Sequence, residues 1–269
     1  MMTSHQEKAA ADRAGASAQK PGLHAELSPD LSPDLSVVIP MKDEAGNIRP
    51  LIDEIAESLD GRRFEVVCVD DGSRDGTAEE LRAAQDAYPW LRVVRHKDAC
   101  GQSTATRTGV AAAKADWIVT LDGDGQNPPS EIPVLIEARD AATEPVAMVA
   151  GQRRKRQDSG FRKLSSRIAN GVRSSLLKDG ISDTGCSLKL FRRALFMDLP
   201  YFDHMHRFLP ALVQRHGGKV ITAQVEHRHR TQGESKYGFH NRLWPGITDL
   251  IGVLWLQRRT KLPNIVDTE

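Results

Sequence analysis

Asp122 and Asp124 stand one residue apart in Asp122-Gly-Asp-Gly-Gln126, directly after the apolar run Trp117 to Leu121. Carboxylates at i and i+2 can converge on one hard cation, and the glycines between and after them put no side chain in its way. The plain alternative is an acidic surface turn, because Asp and Gly both favour turns. Other groups with chemical potential lie at similar places. Asp70 and Asp71 close the run Phe64 to Val69, and Glu44 follows Leu35 to Pro40. A basic run holds Arg153, Arg154, Lys155, Arg156, Arg162, Lys163, Arg167 and Arg173. Its plain reading is a solvated helix face. Its chemical reading is phosphate binding, to which a planar guanidinium is suited. Arg230, Ser235 and Lys236 flank Gly233, a composition that fits a loop closing over an anion. His227 and His229 alternate with no partners at ligand spacing, which argues against zinc there.

These groups need a scaffold, and the pattern supplies one. Leu35–Pro40, Phe64–Val69, Leu91–Arg95, Trp117–Leu121 and Val146–Ala150 are short apolar, β-branched runs of the kind that form buried strands. Between them lie helical patterns. Ile48, Leu51, Ile52, Ile55 and Leu59 keep 3.6 spacing. Asp75-Gly-Thr77 caps a helix over 78–87, and Gly101 and Ser103 open one over 104–114, whose amino end is a natural anion seat. A further helix is expected over 130–141. Strands alternating with helices predict a mostly parallel, doubly wound α/β sheet with helices on both faces. In such a sheet ligands bind at the carboxyl ends of the strands, where Glu44, Asp70, Asp71, Asp122 and Asp124 would gather. Leu188–Leu195 reads as a strand-to-helix passage and Val220–Val225 as another strand.

The remaining segments set the boundaries. Residues 1–34, with the repeat Leu-Ser-Pro-Asp, are too polar to order themselves and read as a tail. The main domain is expected over 35–238. Residues 239–269 form a C-terminal segment whose apolar stretch, Leu243 to Leu256, has Trp244 and Trp255 near its ends and Arg242, Arg258, Arg259 and Lys261 around them. That composition suits an amphipathic helix lying on a membrane surface. The alternative is a helix packed on the core, or in a homo-oligomer interface. The whole chain has 269 residues, 27% of them charged, and a net charge of +1, which gives no general attraction to nucleic acid. Its three cysteines are far apart, as expected of reduced thiols in a cytoplasmic protein. No apolar run reaches the roughly 18 residues of a membrane span, and the amino end lacks the apolar core of a secretory signal.

Taken together, Val-Val-Ile-Pro with Asp43-Glu44, then Val-Asp-Asp-Gly-Ser-Arg-Asp-Gly-Thr, then Asp-Gly-Asp-Gly-Gln-Asn-Pro-Pro, resemble family 2 glycosyltransferases with the GT-A fold. Gly-Gln-Arg153, Asp183-Thr-Gly-Cys and Arg230-Thr-Gln-Gly-Glu-Ser-Lys-Tyr extend the resemblance to the dolichol-phosphate mannosyltransferase group and its bacterial polyprenyl-phosphate relatives, over about Leu35 to Gly238. The resemblance implies that Asp122, Asp124 and Gln126 hold Mg²⁺ or Mn²⁺ against the diphosphate of a nucleotide-sugar. It implies that Pro40, Glu44, Asp70 and Asp71 contact the nucleoside. Arg153, Arg162, Ser166 and Ser235 would bind the acceptor phosphate, and the loop with Arg230, Ser235 and Lys236 would complete an anion cage over the donor diphosphate. Lys42 stands where relatives often carry an aromatic residue, so the base, guanine or uracil, is left open.

The implied reaction is an inverting in-line transfer of sugar to a polyprenyl phosphate, by a protein bound peripherally to the cytoplasmic face of a membrane. A phosphate nucleophile is already anionic near neutral pH, with a second pKa of about 6, and needs no strong base. Cationic groups that screen and position two anions are what it needs. On this reading Asp124→Asn abolishes transfer and Arg153→Ala weakens the acceptor. A glycosyltransferase with a soluble or polysaccharide acceptor would want a carboxylate base near that acceptor. A non-catalytic nucleotide-sugar-binding protein would have no need to keep Asp122, Asp124 and Gln126. A nucleotidyltransferase would show a glycine-rich loop after the first strand, where this chain has Pro-Met-Lys-Asp-Glu-Ala-Gly-Asn.

Overall fold

The structure, a computed structural model, describes residues 32–154, 171, 173–228 and 240–261, with only the backbone of 240–245. Seven strands form one sheet: β1 (Leu35–Met41), β2 (Phe64–Asp71), β3 (Leu91–His96), β4 (Trp117–Thr120), β5 (Met148–Arg153), β6 (Lys189–Arg192) and β7 (Val220–Val225). Their order is β3-β2-β1-β4-β6-β5-β7. All run parallel except β6, which lies antiparallel between β4 and β5. The expected mostly parallel α/β sheet is therefore present, and β6 is its exception.

Helices cover both faces. Val37 and Ile39 of β1 pack with Ile48, Leu51, Ile52 and Ile55 of α1 (Ile48–Ser58), Leu81 of α2 (Thr77–Ala87) and Ile132 and Leu135 of α4 (Ile132–Asp140). Val38, one residue along, points the other way, as alternation on a strand requires. It belongs to a second buried cluster with Ala105 and Val110 of α3 (Gln102–Ala112), Phe196 of α5 (Arg193–Asp198), and Leu209 and Leu212 of α6 (Leu209–Arg215). α3 lies so close to the sheet that a methyl group on Gly109 would collide with Val38. α7 (His240–Arg259) joins this second face through Val253, with Leu250 and Leu254 partly buried beside it.

Several boundaries differ from the sequence-based expectation, each for a local reason. β2 runs on through Asp70 and Asp71, because Arg95 and His96 lie opposite them on β3 and supply the charge and hydrogen bonds that let acids stay in the ladder. β5 begins later than Val146 and extends to Arg153, since its pairing with β7 continues to Arg153 opposite Val225. α3 starts at Gln102 and ends at Ala112, before the extended Ala113. The expected helix at 130–141 is a single 3₁₀ turn, Pro129–Glu131, followed by α4. The tail residues 1–31 lie outside the described residues.

Candidate active site

Residues from three strand ends meet at one edge of the sheet. β4 ends at Thr120, and the chain turns through Asp122-Gly123-Asp124 against the end of β1. A methyl group on Gly123 would stand 3.0 Å from Met41 and 3.4 Å from Glu44, so the acidic turn rests directly on the segment after β1. Glu44 is held there by Asn47, whose amide donates to its carboxylate at 2.9 Å, and by Thr77, whose hydroxyl accepts its backbone N–H at 2.8 Å. Asp124 accepts the backbone N–H of Gln126 at 3.1 Å, and the Gln126 carbonyl accepts from Arg228 N at 2.8 Å.

Asp122 bears the electrostatic consequence. Burial, then the charge of Asp124 and more weakly of Glu44, pushes its carboxyl up to about 6, against a hydrogen bond from Ser187 and the ammonium of Lys189. Three acids in one crevice are a source of repulsion unless a cation joins them. Gln102, at the start of α3, donates its amide to Asp122 Oδ1 at 2.7 Å. Lys189 is buried on β6, where burial lowers its pKa, and its ammonium donates to the carbonyls of Cys186 and Thr184. The carboxylates of Asp122 and Asp124 are hard oxygen donors of the kind that Mg²⁺ and Mn²⁺ accept, so the residues present fit such an ion.

The other expected residues fall into distinct places. Pro40 lies within β1 opposite Val69, half-buried. Asp70 is fully buried, accepting Ser73 N at 2.9 Å and paired with Arg95 at 3.0 Å. Asp71 faces the β3–α3 loop. Its carboxylate accepts the backbone amides of Cys100 at 2.7 Å and Gly101 at 2.8 Å, and it pairs with His96 at 2.8 Å. Although burial opposes it, these hydrogen bonds win and lower the Asp71 pKa. The anion at the amino end of α3 is thus the protein's own Asp71, and Gly101, at φ +91°, makes the turn that allows it. Ser103 is buried, with its hydroxyl 2.8 Å from His206 Nδ1.

Arg153 gives its fork to Asp183, with Nε and Nη2 donating to the two carboxylate oxygens at 2.7 Å each. Its Nη1 lies 3.5 Å from His227 Nε2, so His227 has an arginine for a neighbour. Arg173, another member of the basic run, is buried against Asp179 at 2.5 Å and the Ile181 carbonyl at 2.6 Å. Those two are internal ion pairs, and Arg154 meets Glu226 only loosely at 3.4 Å. Arg162, Ser166, Arg230, Ser235 and Lys236 lie outside the described residues. Sequence reasoning missed Gln102, Ser187 and Lys189. A lysine between Leu188 and Leu190 was a legible sign of a buried charge in want of carboxylates.

A seven-stranded, mostly parallel α/β sheet with a carboxylate cluster beyond β4 defines the GT-A type of fold. The chain belongs to glycosyl transferase family 2, whose model matches residues 36–199. Among curated proteins it is similar to the undecaprenyl-phosphate 4-deoxy-4-formamido-L-arabinose transferase of Edwardsiella ictaluri, 38% identical over 76% of this chain and 63% of that protein. It is also 32% identical to the dodecaprenyl-phosphate galacturonate synthase of Rhizobium johnstonii, over 88% of this chain and 71% of that one. The chain therefore spans about 63% of the length of the first of these relatives. The glucosyl-3-phosphoglycerate synthase of Mycobacterium tuberculosis, solved with Mn²⁺, UDP and glucosyl-3-phosphoglycerate, superposes with a TM-score of 0.63 at 21% identity, over 84% of this chain and 80% of that one. That likeness bears on the fold.

Proposed function

We propose that the chain transfers a sugar from a nucleotide-sugar, GDP-mannose or a UDP-sugar, to a polyprenyl phosphate with inversion at the anomeric carbon. The observation that carries the reading is the convergence of Glu44, Asp122 and Asp124, which leaves Asp122 pushed up to about 6 beside a second carboxylate. Such a cluster gains from a cation, and a nucleotide diphosphate brings the charge that the cation then balances. The acceptor assignment rests on relatives named for undecaprenyl and dodecaprenyl phosphate.

In this proposal Asp122 and Asp124, with Gln126 beside them, hold Mg²⁺ or Mn²⁺. The ion supplies charge neutralisation at the diphosphate leaving group. Gln102 keeps the Asp122 carboxylate turned into the crevice, and Arg228 fixes the Gln126 backbone. Pro40, Glu44, Asp70 and Asp71 form the nucleoside end, Asp71 by holding the β3–α3 loop. Arg153 positions the 183–186 segment through Asp183, while Arg162, Ser166, Arg230, Ser235 and Lys236 are assigned to phosphate binding. The protein works at the cytoplasmic face of a membrane. Among the described residues no helix is long and apolar enough to cross one.

The test is purified protein with undecaprenyl phosphate, Mg²⁺ or Mn²⁺, and a panel of labelled GDP- and UDP-sugars. Formation of one lipid-linked sugar, lost on chelation, is the expected result. Transfer only to water-soluble acceptors would overturn the acceptor assignment, and undiminished transfer with chelator would overturn the metal assignment.

A further inference from the structure

Asp71, His96 and Cys100 bring a carboxylate oxygen, an imidazole nitrogen and a thiol sulfur within 4.8 Å of one another. They come from the end of β2, the end of β3 and the loop that leads into α3. Two of the three are already oriented by outer partners. The Asp71 carboxylate is clamped by the amides of Cys100 and Gly101, and the His96 ring is fixed by Thr108, whose hydroxyl lies 3.0 Å from Nε2. Metal sites use such outer hydrogen bonds to aim their ligands. The third group, the Cys100 thiol, is exposed and donates to the Asp98 carbonyl at 3.2 Å, a weak contact that a rotation breaks.

We propose that Asp71, His96 and Cys100 form a second metal site, one that takes a zinc-type divalent ion. The donor set decides the ion. Thiolate and imidazole favour Zn²⁺ or Co²⁺ over Mg²⁺, whereas the oxygen donors of Asp122 and Asp124 favour the harder ions. Three protein ligands leave a fourth tetrahedral position for water. Binding balances without another reagent. The His96 proton moves from Nδ1 to Nε2, where it is donated to Thr108, and the Cys100 proton leaves to solvent. One carboxylate and one thiolate then neutralise the ion, which suits a half-buried place. The ion would staple β2, β3 and the start of α3 into one unit, at the carboxylate that already holds this loop. The site shares Asp71 with the nucleoside end proposed above, and its test reads metal binding rather than transfer.

Cobalt absorption tests it on the full chain, with Mg²⁺ in excess to occupy the oxygen site. One equivalent of Co²⁺ should give a thiolate-to-metal charge-transfer band in the near ultraviolet, and Zn²⁺ should displace it. Cys100 is the only source of that band, because Cys68 and Cys186 are buried and the Cys68 thiol is pushed up to about 12. Cys100→Ser should remove the band with an unchanged melting temperature. Thr108→Val should weaken Co²⁺ binding by about 10- to 100-fold, the usual effect of losing an outer partner. Asp124→Asn should keep the band. No band in the parent chain, a band that persists in Cys100→Ser, or one that disappears in Asp124→Asn would each overturn the proposal.

Discussion

A guanidinium can serve a bound phosphate or an internal carboxylate with the same fork, and Arg153 gives its fork to Asp183 at 2.7 Å on both arms. Both side chains are nearly buried, at 13% and 8% exposure, so the pair is an internal one. Removing one partner of such a pair costs about 3–5 kcal/mol, because the other charge is left in a poor solvent. Arg153→Ala should therefore lower stability by that order in urea unfolding, and adding Asp183→Asn should recover part of the loss. If Arg153→Ala melted like the parent, the pair would be incidental and the arginine open to a ligand. Asp124 is different in kind. It holds Gln126 through a single backbone contact and otherwise adds charge to the crevice. Asp124→Asn should leave the melt near that of the parent and reduce transfer by about 10³-fold, the scale of losing a charge-stabilising group. Full activity in that variant would remove Asp124 from the site.

At the scale of elements, the contact between α3 and the turn Met205–Arg207 carries a pH dependence. The backbone N–H of His206 lies 3.4 Å from Ser103 Oγ, so the hydroxyl is an acceptor there and donates to His206 Nδ1. Burial, aided by the charge of Arg207, pushes His206 down to about 3 from 6.5. The folded chain thus keeps this ring neutral, while the unfolded chain takes up a proton below pH 6.5. The contribution is complete above that pH and is lost as pH falls from 6.5 toward 3, at about 1.4 kcal/mol per unit. His206→Gln keeps an acceptor for Ser103 but cannot titrate. The stability gap between parent and His206→Gln should shrink by on the order of 2 kcal/mol between pH 7 and pH 5 in denaturant titrations. A gap that stayed constant would mean that the ring takes up its proton as readily in the folded chain as in the unfolded one.

The same scale shows what the sequence made legible. β7 was readable to the residue because alternation and flanking polar residues mark its ends, and the strands before Met148 were readable as apolar runs. The acidic turn was readable as a turn because Asp and Gly both favour one where an apolar run ends. β6 was readable only as a strand. Its antiparallel place between β4 and β5 depends on the chain's return after Arg153, which no local pattern encodes. The partners of Asp71, Ser103 and Arg153 were hidden for a related reason. Each sits 25 to 103 positions away, and sequence types alone do not say whether a charged group faces a ligand or another part of the chain.

At the scale of the whole molecule, α7 has two apolar faces, and among the described residues one of them packs on the core while the other is exposed. Val253 is buried, Leu250 and Leu254 pack on the core, and Asp249 pairs with His204 at 3.1 Å. On the other side Ile247, Ile251 and Trp255 are exposed at 42%, 62% and 58%, spaced four apart on one stripe. Arg258 and Arg259 follow, Arg259 lying 5.9 Å over the Trp255 ring. The alternatives of a packed helix and an interfacial helix are thus compatible: the helix is docked on the core and still presents an apolar stripe with cations at its end. A stripe of this composition suits an anionic lipid surface, where the rings and isoleucines enter and the arginines meet head groups. Cutting the chain before Leu243 would be a poor test, because it strips Val253 from the core as well. Ile251→Ser with Trp255→Ser spares the core face. Losing the burial of these two side chains at the interface should weaken sedimentation with phosphatidylglycerol vesicles by roughly 30-fold, or about 2 kcal/mol. The melting temperature should stay close to that of the parent, and binding should fall as salt rises. Equal vesicle binding by parent and double variant would assign the stripe to a second copy of the chain, which sedimentation velocity without lipid would then reveal as a dimer lost in the variant.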